Sequence, residues 1–263
     1  MTLASALVEL QQLTERLRRE CPWDREQTER TIVPHTLEEA YEVADAALAE
    51  RPDKLLDELG DLLFQVYFLA LLLSEQGQGG LEEVARGVHA KLVRRHPHVF
   101  GETQAETPGR VRENWEQVKT AQEGRKGIFH DVPAALPALS YARKLQRRAA
   151  AIDFEYPDTE AALADLDDEL LELKETLAAD ETPPEGKADP HVFEELGDVL
   201  FATVNVARRL NVDPELALRT TARRFAARVE RAEIIAAAEG RAFAELELAE
   251  QDRYFDMAKE VLR

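Results

Sequence analysis

Cysteine is nearly absent from this sequence, which has a single one, Cys21, among 263 residues. One cysteine cannot form an internal disulfide, which favours a reducing compartment. Long hydrophobic runs are also lacking, because the run from Leu62 to Leu73 has only twelve residues, with Gln65 inside it, and is too short to span a bilayer. No N-terminal stretch has the apolar core of a signal peptide. We therefore expect a cytoplasmic protein without a membrane partner.

Basic residues are also few in comparison with acidic ones. The chain has 33 Lys and Arg against 52 Asp and Glu, a formal net charge of −19. This charge repels the nucleic-acid backbone, so we expect no nucleic-acid partner. It also repels a bare triphosphate, which favours a cation between the protein and any phosphate ligand.

Residues 3–20 are predicted to form an amphipathic helix that packs on a core. Its leucines recur at helical spacing, at Leu3, Leu7, Leu10, Leu13 and Leu17. Further along, Thr36-Leu37-Glu38-Glu39 has the spacing of a capping box. This pattern predicts that the next long helix begins at about Thr36.

Two short acidic motifs organise the first half of the chain. Glu39 and Glu42 are three residues apart in E-A-Y-E, and Glu58 and Asp61 are three apart in E-L-G-D. Residues three apart lie on one face of a helix, so each pair is a two-carboxylate claw on its own helix. Arg51-Pro52-Asp53 breaks the chain between them, and this short connection predicts antiparallel helices whose four acids converge.

The helix that carries the second claw is apolar almost all round. At about 100° per residue, only Asp57, Glu58, Asp61 and Gln65 interrupt its apolar side chains between residues 57 and 71. A helix that is apolar on all sides is buried. We therefore expect Glu58 and Asp61 to lie in a protein interior.

Converging carboxylates need protons or a cation. Two carboxylates about 4 Å apart repel by roughly 1 kcal/mol in water and roughly 4 kcal/mol at an effective dielectric of 20. An all-carboxylate site suits a hard divalent ion, so we expect Mg2+ as the cofactor, with Mn2+ as the alternative. In metal-free protein we expect Glu58 and Asp61 to take up protons at unusually high pH.

Both claws recur in the second half of the chain. Glu169 and Glu172 follow the first claw by 130 residues, and Glu195 and Asp198 follow the second by 137. Two unrelated solvated faces would have no reason to share both claws, the Gly within the second claw and the Leu-Phe after it. Basic and aromatic residues repeat as well: they are Lys91, Arg95, Trp115 and Lys119 in the first copy and Arg224, Arg228, Phe255 and Lys259 in the second.

The duplicated pattern of E-x-x-E, a variable loop and E-x-x-D resembles the MazG family of all-helical nucleoside triphosphate pyrophosphohydrolases. Cys21-Pro22-Trp23-Asp24 and Arg95-His96-Pro97-His98-Val99-Phe100 add to the resemblance. The similarity covers nearly the whole chain and is to the full-length, two-domain form of the family.

The resemblance implies an all-α fold of two tandem MazG-type domains, each contributing to a four-helix-bundle-like core. We expect these domains at residues 1–122 and 139–263. The linker is expected at residues 123–138, where glycines and prolines cluster. The resemblance also implies a homodimer. That expectation fits a claw helix too apolar for the few long helices of one copy to cover.

The implied activity is Mg2+-dependent hydrolysis of a nucleoside triphosphate to a monophosphate and pyrophosphate. The claw carboxylates would hold the metal and carry catalysis, with one acid of each copy as an alternative general base: Glu39, Glu42, Glu58, Asp61, Glu169, Glu172, Glu195 and Asp198. The eight repeated basic and aromatic residues would bind the substrate, Lys as a point charge and Arg as a fork on phosphate oxygens.

Several alternatives stay open. A helical interaction module with relic claws is one, and a narrower dUTP or phosphoribosyl-ATP pyrophosphatase is another. An oxygen-activating di-metal bundle is disfavoured, because it uses Glu-x-x-His motifs and each claw here ends in Glu or Asp. We hypothesise broad specificity, since no cluster of amide side chains suggests base-edge reading. Which copy is active is open, because the first keeps Trp115 while in resembling proteins the C-terminal copy can be the active one.

Overall fold

The computed structural model of the chain describes residues 2–101, 127–130, 132–179 and 189–262. Every regular element in these ranges is helical, so the all-α fold class is confirmed. The first half contains α1 Leu3–Glu20, α2 Pro22–Glu26, α3 Glu29–Leu48, α4 Pro52–Glu75, α5 Leu81–Arg95 and α6 Pro97–Phe100. The second contains α7 Ala138–Ala150, α8 Thr159–Ala179, α9 Pro190–Arg209, α10 Pro214–Ala238, the short 3-10 helix Phe243–Glu245 and α11 Leu248–Val261.

The chain divides into two units, Met1–Val118 and Lys119–Arg263. Residues 123–126 and 131 of the expected linker lie outside the described ranges, so the domain limits given above stay a prediction. Within the described ranges, no helix combines the length and the apolar character that crossing a membrane would require.

Local chemistry sets most of the helix starts. α1 begins as expected, and Thr2 and Ser5 form a reciprocal cap in which each side chain accepts the other's backbone N–H. Asp189 and Asp213 cap α9 and α10. Five of the described helices have proline as their first residue, where the missing N–H has no helical partner in any case: α2, α4, α6, α9 and α10.

The predicted helix start at Thr36 is wrong. α3 begins at Glu29, where Thr28 and Thr31 form the cap, and it continues through Pro34. The Thr36 hydroxyl donates to the Ile32 carbonyl, 3.2 Å away, inside the helix. Ile32 is buried in the core of this unit, so packing stabilises a turn that the local pattern assigned to a loop.

α3 and α4 form the antiparallel pair expected from their short connection. Ile32, near the start of α3, packs against Phe68 and Leu72 near the end of α4. Closer to the connection, Glu39 lies beside Glu58. The claws of this unit therefore face each other across one helix pair.

α4 is not buried on all sides within its own unit, which corrects the sequence prediction. Leu59, Leu63 and Val66 are 46%, 37% and 39% exposed. The leucine stripe of α1 is also less covered than expected, with Leu3 at 77% and Leu13 at 50% exposed. Periodicity shows which residues are apolar, but it does not show whether the surface that covers them belongs to the same unit.

The second unit repeats the claw-helix pair. Its first claw lies on α8. Its second claw lies on α9, and α7 is joined to α9 by the buried Gln146, whose Nε2 donates to the Phe201 carbonyl at 2.8 Å. A separate core joins α10 to α11: Ala232, Ala236, Tyr254 and Ala258 are fully buried there.

Arg18 of α1 joins three segments of the first unit. Its guanidinium donates from Nε and Nη2 to the Glu75 carboxylate at the end of α4, at 3.0 and 2.9 Å. Its Nη1 donates to the carbonyls of Asp24 and Gln27, at 2.5 and 3.1 Å. These bonds hold the C-P-W-D segment between α1 and α4.

We predict that Arg18→Ala destabilises the first unit by about 1.5–3 kcal/mol, since it removes hydrogen bonds to a charged partner and leaves two carbonyls unpaired. The matched control is Arg16→Ala, whose pair with Glu20 is largely exposed and should contribute under about 1 kcal/mol. Urea unfolding compares the two variants, and equal losses would exclude a joining role for Arg18.

Candidate metal and active site

The structure brings the four acids of the first unit together. One carboxylate oxygen from each of Glu39, Glu58 and Asp61 lies within 4.8 Å of those of the other two. Glu42 joins the group through a hydrogen bond to Glu58. Because α3 supplies one claw and α4 the other, the cluster is built by the packing of two helices.

The two members of the α4 claw differ in burial. Glu58 is only 2% exposed, as the sequence predicted. Asp61 is exposed, so the prediction of a buried Asp61 is wrong. Asp61 lines an open groove with Lys54 and Asp57, which explains its exposure.

The two acids of α3, Glu39 and Glu42, have raised pKa values. Burial raises the pKa of Glu39, and the charges of Asp61, Glu42 and Glu58 raise it further. The hydrogen bond to Glu58 raises the pKa of Glu42. The cluster therefore favours a proton on α3 when no cation is present.

Lys54 supplies a positive charge that sequence reasoning missed. Its Nζ is hydrogen-bonded to Glu58 Oε1, and this bond lowers the pKa of the Glu58 carboxyl. The expectation that Glu58 takes up a proton at unusually high pH is therefore wrong. A signal was present in the sequence, because Lys54 precedes Glu58 by four residues and so lies on the same helix face.

The second unit builds a similar cluster. Glu169 of α8 and Glu195 and Asp198 of α9 each offer an oxygen within 4.8 Å of the other two. Burial raises the pKa of Glu169, followed by the charges of Asp198 and Glu172. Glu172 is exposed and lies outside the group of three, although its charge acts on Glu169.

The donor set of the first cluster fits a divalent cation. Glu39 Oε2 is buried and has no hydrogen-bond partner among the described residues. A buried carboxylate oxygen without a partner is costly unless a cation or proton satisfies it. Hard divalent ions take carboxylate oxygens at roughly 2.0–2.6 Å, which oxygens grouped this closely can provide with small side-chain movements. Both acidic clusters can therefore hold a metal ion.

The expected substrate residues of the first copy are only partly described. Lys91 and Arg95 lie four residues apart at the end of α5, Lys91 exposed and Arg95 half-buried. In the described part of the chain, Lys91 forms no ion pair with the carboxylate cluster. Trp115 and Lys119 lie outside the described residues.

The expected substrate residues of the second copy lie on two neighbouring helices. Arg224 and Arg228 are on α10, where Arg228 is half-buried. Phe255 is on α11, and its ring centroid lies 5.6 Å from that of Phe225. Lys259 Nζ lies 4.9 Å from the Phe255 ring centroid and pairs with Asp256. Among the described residues, no hydrogen bond or ion pair links these groups to the carboxylates.

Gln65 is a further polar residue of α4 and lies on the same helix face as Asp61. It follows Asp61 by one helical turn, is 6% exposed, and its Oε1 has no hydrogen-bond partner among the described residues. The second copy has Ala202 at the corresponding position. The two sites therefore differ in hydrogen-bonding capacity.

Known proteins resemble this chain over nearly its whole length. Residues 27–100 match the MazG nucleotide pyrophosphohydrolase domain. A Thermotoga maritima protein named nucleoside triphosphate pyrophosphohydrolase/pyrophosphatase MazG is 38% identical over 255 residues, which cover 95% of this chain and 94% of the relative. An Escherichia coli nucleoside triphosphate pyrophosphohydrolase is 39% identical, with 91% and 90% of the two chains covered. The similarity to these two relatives extends over both acidic clusters, whereas the domain match covers only the first.

Proposed function

Since the chain belongs to the MazG family, we propose that it is a nucleoside triphosphate pyrophosphohydrolase that uses Mg2+ to release a nucleoside monophosphate and pyrophosphate. The observation that carries this proposal is the convergence of carboxylates from two helices in each unit. The relatives' names support the reaction, and the acidic clusters support the proposal that it takes place at these carboxylates.

We propose that some claw residues bind the metal ion and that others accept a proton. A bound divalent ion supplies positive charge beside the phosphates and polarises their oxygens. Glu58 and Asp61, with Glu195 and Asp198, would hold that ion. Glu39 and Glu169 would accept the proton of the attacking water, because their raised pKa values suit a general base. Glu42 and Glu172 would provide further carboxylate oxygens for the metal ion.

The basic residues would bind the phosphates of the substrate. Lys91 and Arg95 in the first unit and Arg224 and Arg228 in the second each stand one helical turn apart, so both members of a pair can reach one phosphate group. An Arg fork makes two bonds to phosphate oxygens, which gives orientation as well as charge. Trp115 with Lys119, and Phe255 with Lys259, would contact the base and the leaving group.

A nucleotide panel tests the activity and its breadth. Full-length protein is incubated with each of the common ribo- and deoxyribonucleoside triphosphates, dUTP and phosphoribosyl-ATP, with Mg2+ or with EDTA, and pyrophosphate is measured. We expect Mg2+-dependent release from many of them, with Mn2+ as a substitute. If no nucleotide yields pyrophosphate, the proposed activity is wrong and the alternative of a non-catalytic interaction module is favoured. If one is preferred several hundredfold, broad specificity is wrong.

We further propose that the protein is a homodimer held by the uncovered faces of the claw helices. Leu59 and Leu63 lie on the side of α4 opposite to Asp61, and Leu196 and Leu200 repeat them on α9. Gly60, like its counterpart in the second copy, lies within a helix, and an added Cβ would meet nothing in the described part of the unit. Glycine there costs about 1 kcal/mol relative to alanine, which close approach of a partner helix would explain.

Leu63→Asp and Leu200→Asp test this interface, since each places a charge in the centre of an uncovered apolar face. We expect sedimentation at micromolar concentration to show dimers for the wild type and mainly monomers for at least one variant. Glu26→Ala is the control and should stay dimeric. A well-folded wild-type monomer at that concentration contradicts the homodimer.

The pH dependence of metal binding follows from Glu39 and Glu169. Because their folded-state pKa values are raised, metal-free protein loses their contribution to stability as pH rises from the ordinary Glu value through the raised one. Glu58 has a lowered pKa, so its contribution to stability is instead lost as pH falls from the ordinary Glu value through the lowered one. We expect Mg2+ to raise Tm strongly at pH 7.5 and much less at pH 5, where protons compete. Calorimetry in the presence of Mg2+ or EDTA measures this, and an equal Tm increment at both values would contradict it.

We also propose a cytoplasmic location and a division into residues 1–122 and 139–263. Cys21 is a free thiol, which suits a reducing compartment. Limited proteolysis tests the division, because cleavage between residues 123 and 138 should release two resistant fragments.

A further inference from the structure

The two acidic clusters differ in one residue that stands four positions before the α4 or α9 claw. In the first unit this residue is Lys54, and in the second it is His191. The inference drawn from this difference rests on the proposed function, since it concerns how each cluster takes up its metal.

Glu58 is the most buried carboxylate of the two clusters, with its side chain 3% exposed. A carboxylate at that depth needs a positive partner or hydrogen-bond donors. The ammonium group of Lys54 fills this role through its bond to Oε1. The first cluster therefore contains its own counter-ion before any metal arrives.

Lys54 can leave Glu58 without losing all of its partners. Its side chain is 49% exposed and extends from the first turn of α4. It lines an open groove together with Asp53, Asp57 and Asp61. The flexible four-carbon chain of lysine can therefore turn toward these carboxylates when Glu58 binds a stronger cation.

The second cluster lacks this arrangement. His191 carries an imidazole in place of the flexible ammonium, and its backbone N–H is used in the cap of α9 by Asp189. Glu195 forms no ion pair with a cation in the described part of the chain. The repulsion among Glu169, Glu195 and Asp198 is thus left for protons or a metal ion to offset.

We propose that Lys54 is a tethered counter-ion that competes with the divalent cation for Glu58. The first unit then binds metal more weakly than the second and keeps its cluster neutralised without it. The second unit is loaded first as the metal concentration rises. Under metal limitation, hydrolysis would come mainly from the second unit.

The test measures Mn2+ binding to the full-length protein from the electron paramagnetic resonance signal of free Mn2+. Glu195→Gln/Asp198→Asn leaves the first cluster as the only one intact, and Lys54→Met is added to it. We expect Lys54→Met to tighten Mn2+ binding about tenfold, a change of about 1.4 kcal/mol. Arg51→Met is the matched control, because Arg51 lines the same groove but pairs with Asp53, and it should change the affinity less than about twofold.

The reverse substitution decides the matter if Lys54→Met does not fold. His191→Lys, added to Glu58→Gln/Asp61→Asn, places the ammonium beside the second cluster and should weaken its Mn2+ affinity about tenfold. Unchanged or weaker Mn2+ binding in folded Lys54→Met overturns the proposal, as does an unchanged affinity in His191→Lys when that variant alone can be tested. Absence of Mn2+ binding in the wild type would instead overturn the proposed metal-dependent function.

Discussion

Glu58→Gln with Asp61→Asn should abolish metal binding in the first unit, and Glu195→Gln with Asp198→Asn should abolish it in the second. Each change removes negative charge from a cluster of converging oxygens while keeping the side chain's shape. The four-site variant should lose Mg2+-dependent hydrolysis by about three orders of magnitude or more, since metal and proton transfer both depend on these acids.

Comparing the two double variants shows which unit hydrolyses the substrate. Circular dichroism supplies the control, because the metal-free fold should persist in all three variants. The second unit should become more stable without its repelling charges. The first unit should gain less stability, because Lys54 loses its charged bond to Glu58. Normal Mg2+-dependent turnover in the four-site variant would exclude the carboxylate clusters as the site of hydrolysis.

Phe68→Ala should destabilise the first unit by about 3–5 kcal/mol, the usual cost of deleting a buried aromatic side chain. Phe68 is fully buried between Ile32 and Leu72, where α3 packs on α4. The same contact sets the separation of the two claws, so metal affinity of the first unit should fall together with stability.

The matched control is Phe100→Ala, which deletes the same side chain at a position of the first unit that is 63% exposed. It should change the free energy of unfolding by less than about 0.5 kcal/mol. Urea unfolding monitored by circular dichroism measures both variants. Similar losses in the two would mean that the α3–α4 contact is not the main source of stability in this unit.

Much of the fold was predictable because the relevant signals are local. The α1 boundaries followed from leucine spacing, and the α3–α4 connection followed from Arg51-Pro52-Asp53. The start of α3 was not predictable in this way, because a capping-box pattern at Thr36 competes with the burial of Ile32, which only the folded unit supplies. The exposed side of α4 was missed for a related reason, since a sequence does not show which chain covers an apolar face.

The acidic clusters were predictable from spacing and repetition, because residues three apart on neighbouring helices converge whatever the details of packing. The electrostatics within them were not. Glu58 was expected to hold a proton tightly, yet Lys54 lowers its pKa, while Glu39 and Glu42 have raised values. Such differences depend on burial and on which side chain reaches which oxygen, and neither is visible from composition.

Product analysis in 18O-labelled water tests the central proposal most directly. Wild-type protein is incubated with a nucleoside triphosphate, in Mg2+ and in EDTA, and the products are identified by mass spectrometry. We predict equal amounts of nucleoside monophosphate and pyrophosphate, formed only with the metal, with one 18O atom in one of the two products. Nucleoside diphosphate with inorganic phosphate, or the same products at the same rate in EDTA, would contradict a metal-dependent pyrophosphohydrolase.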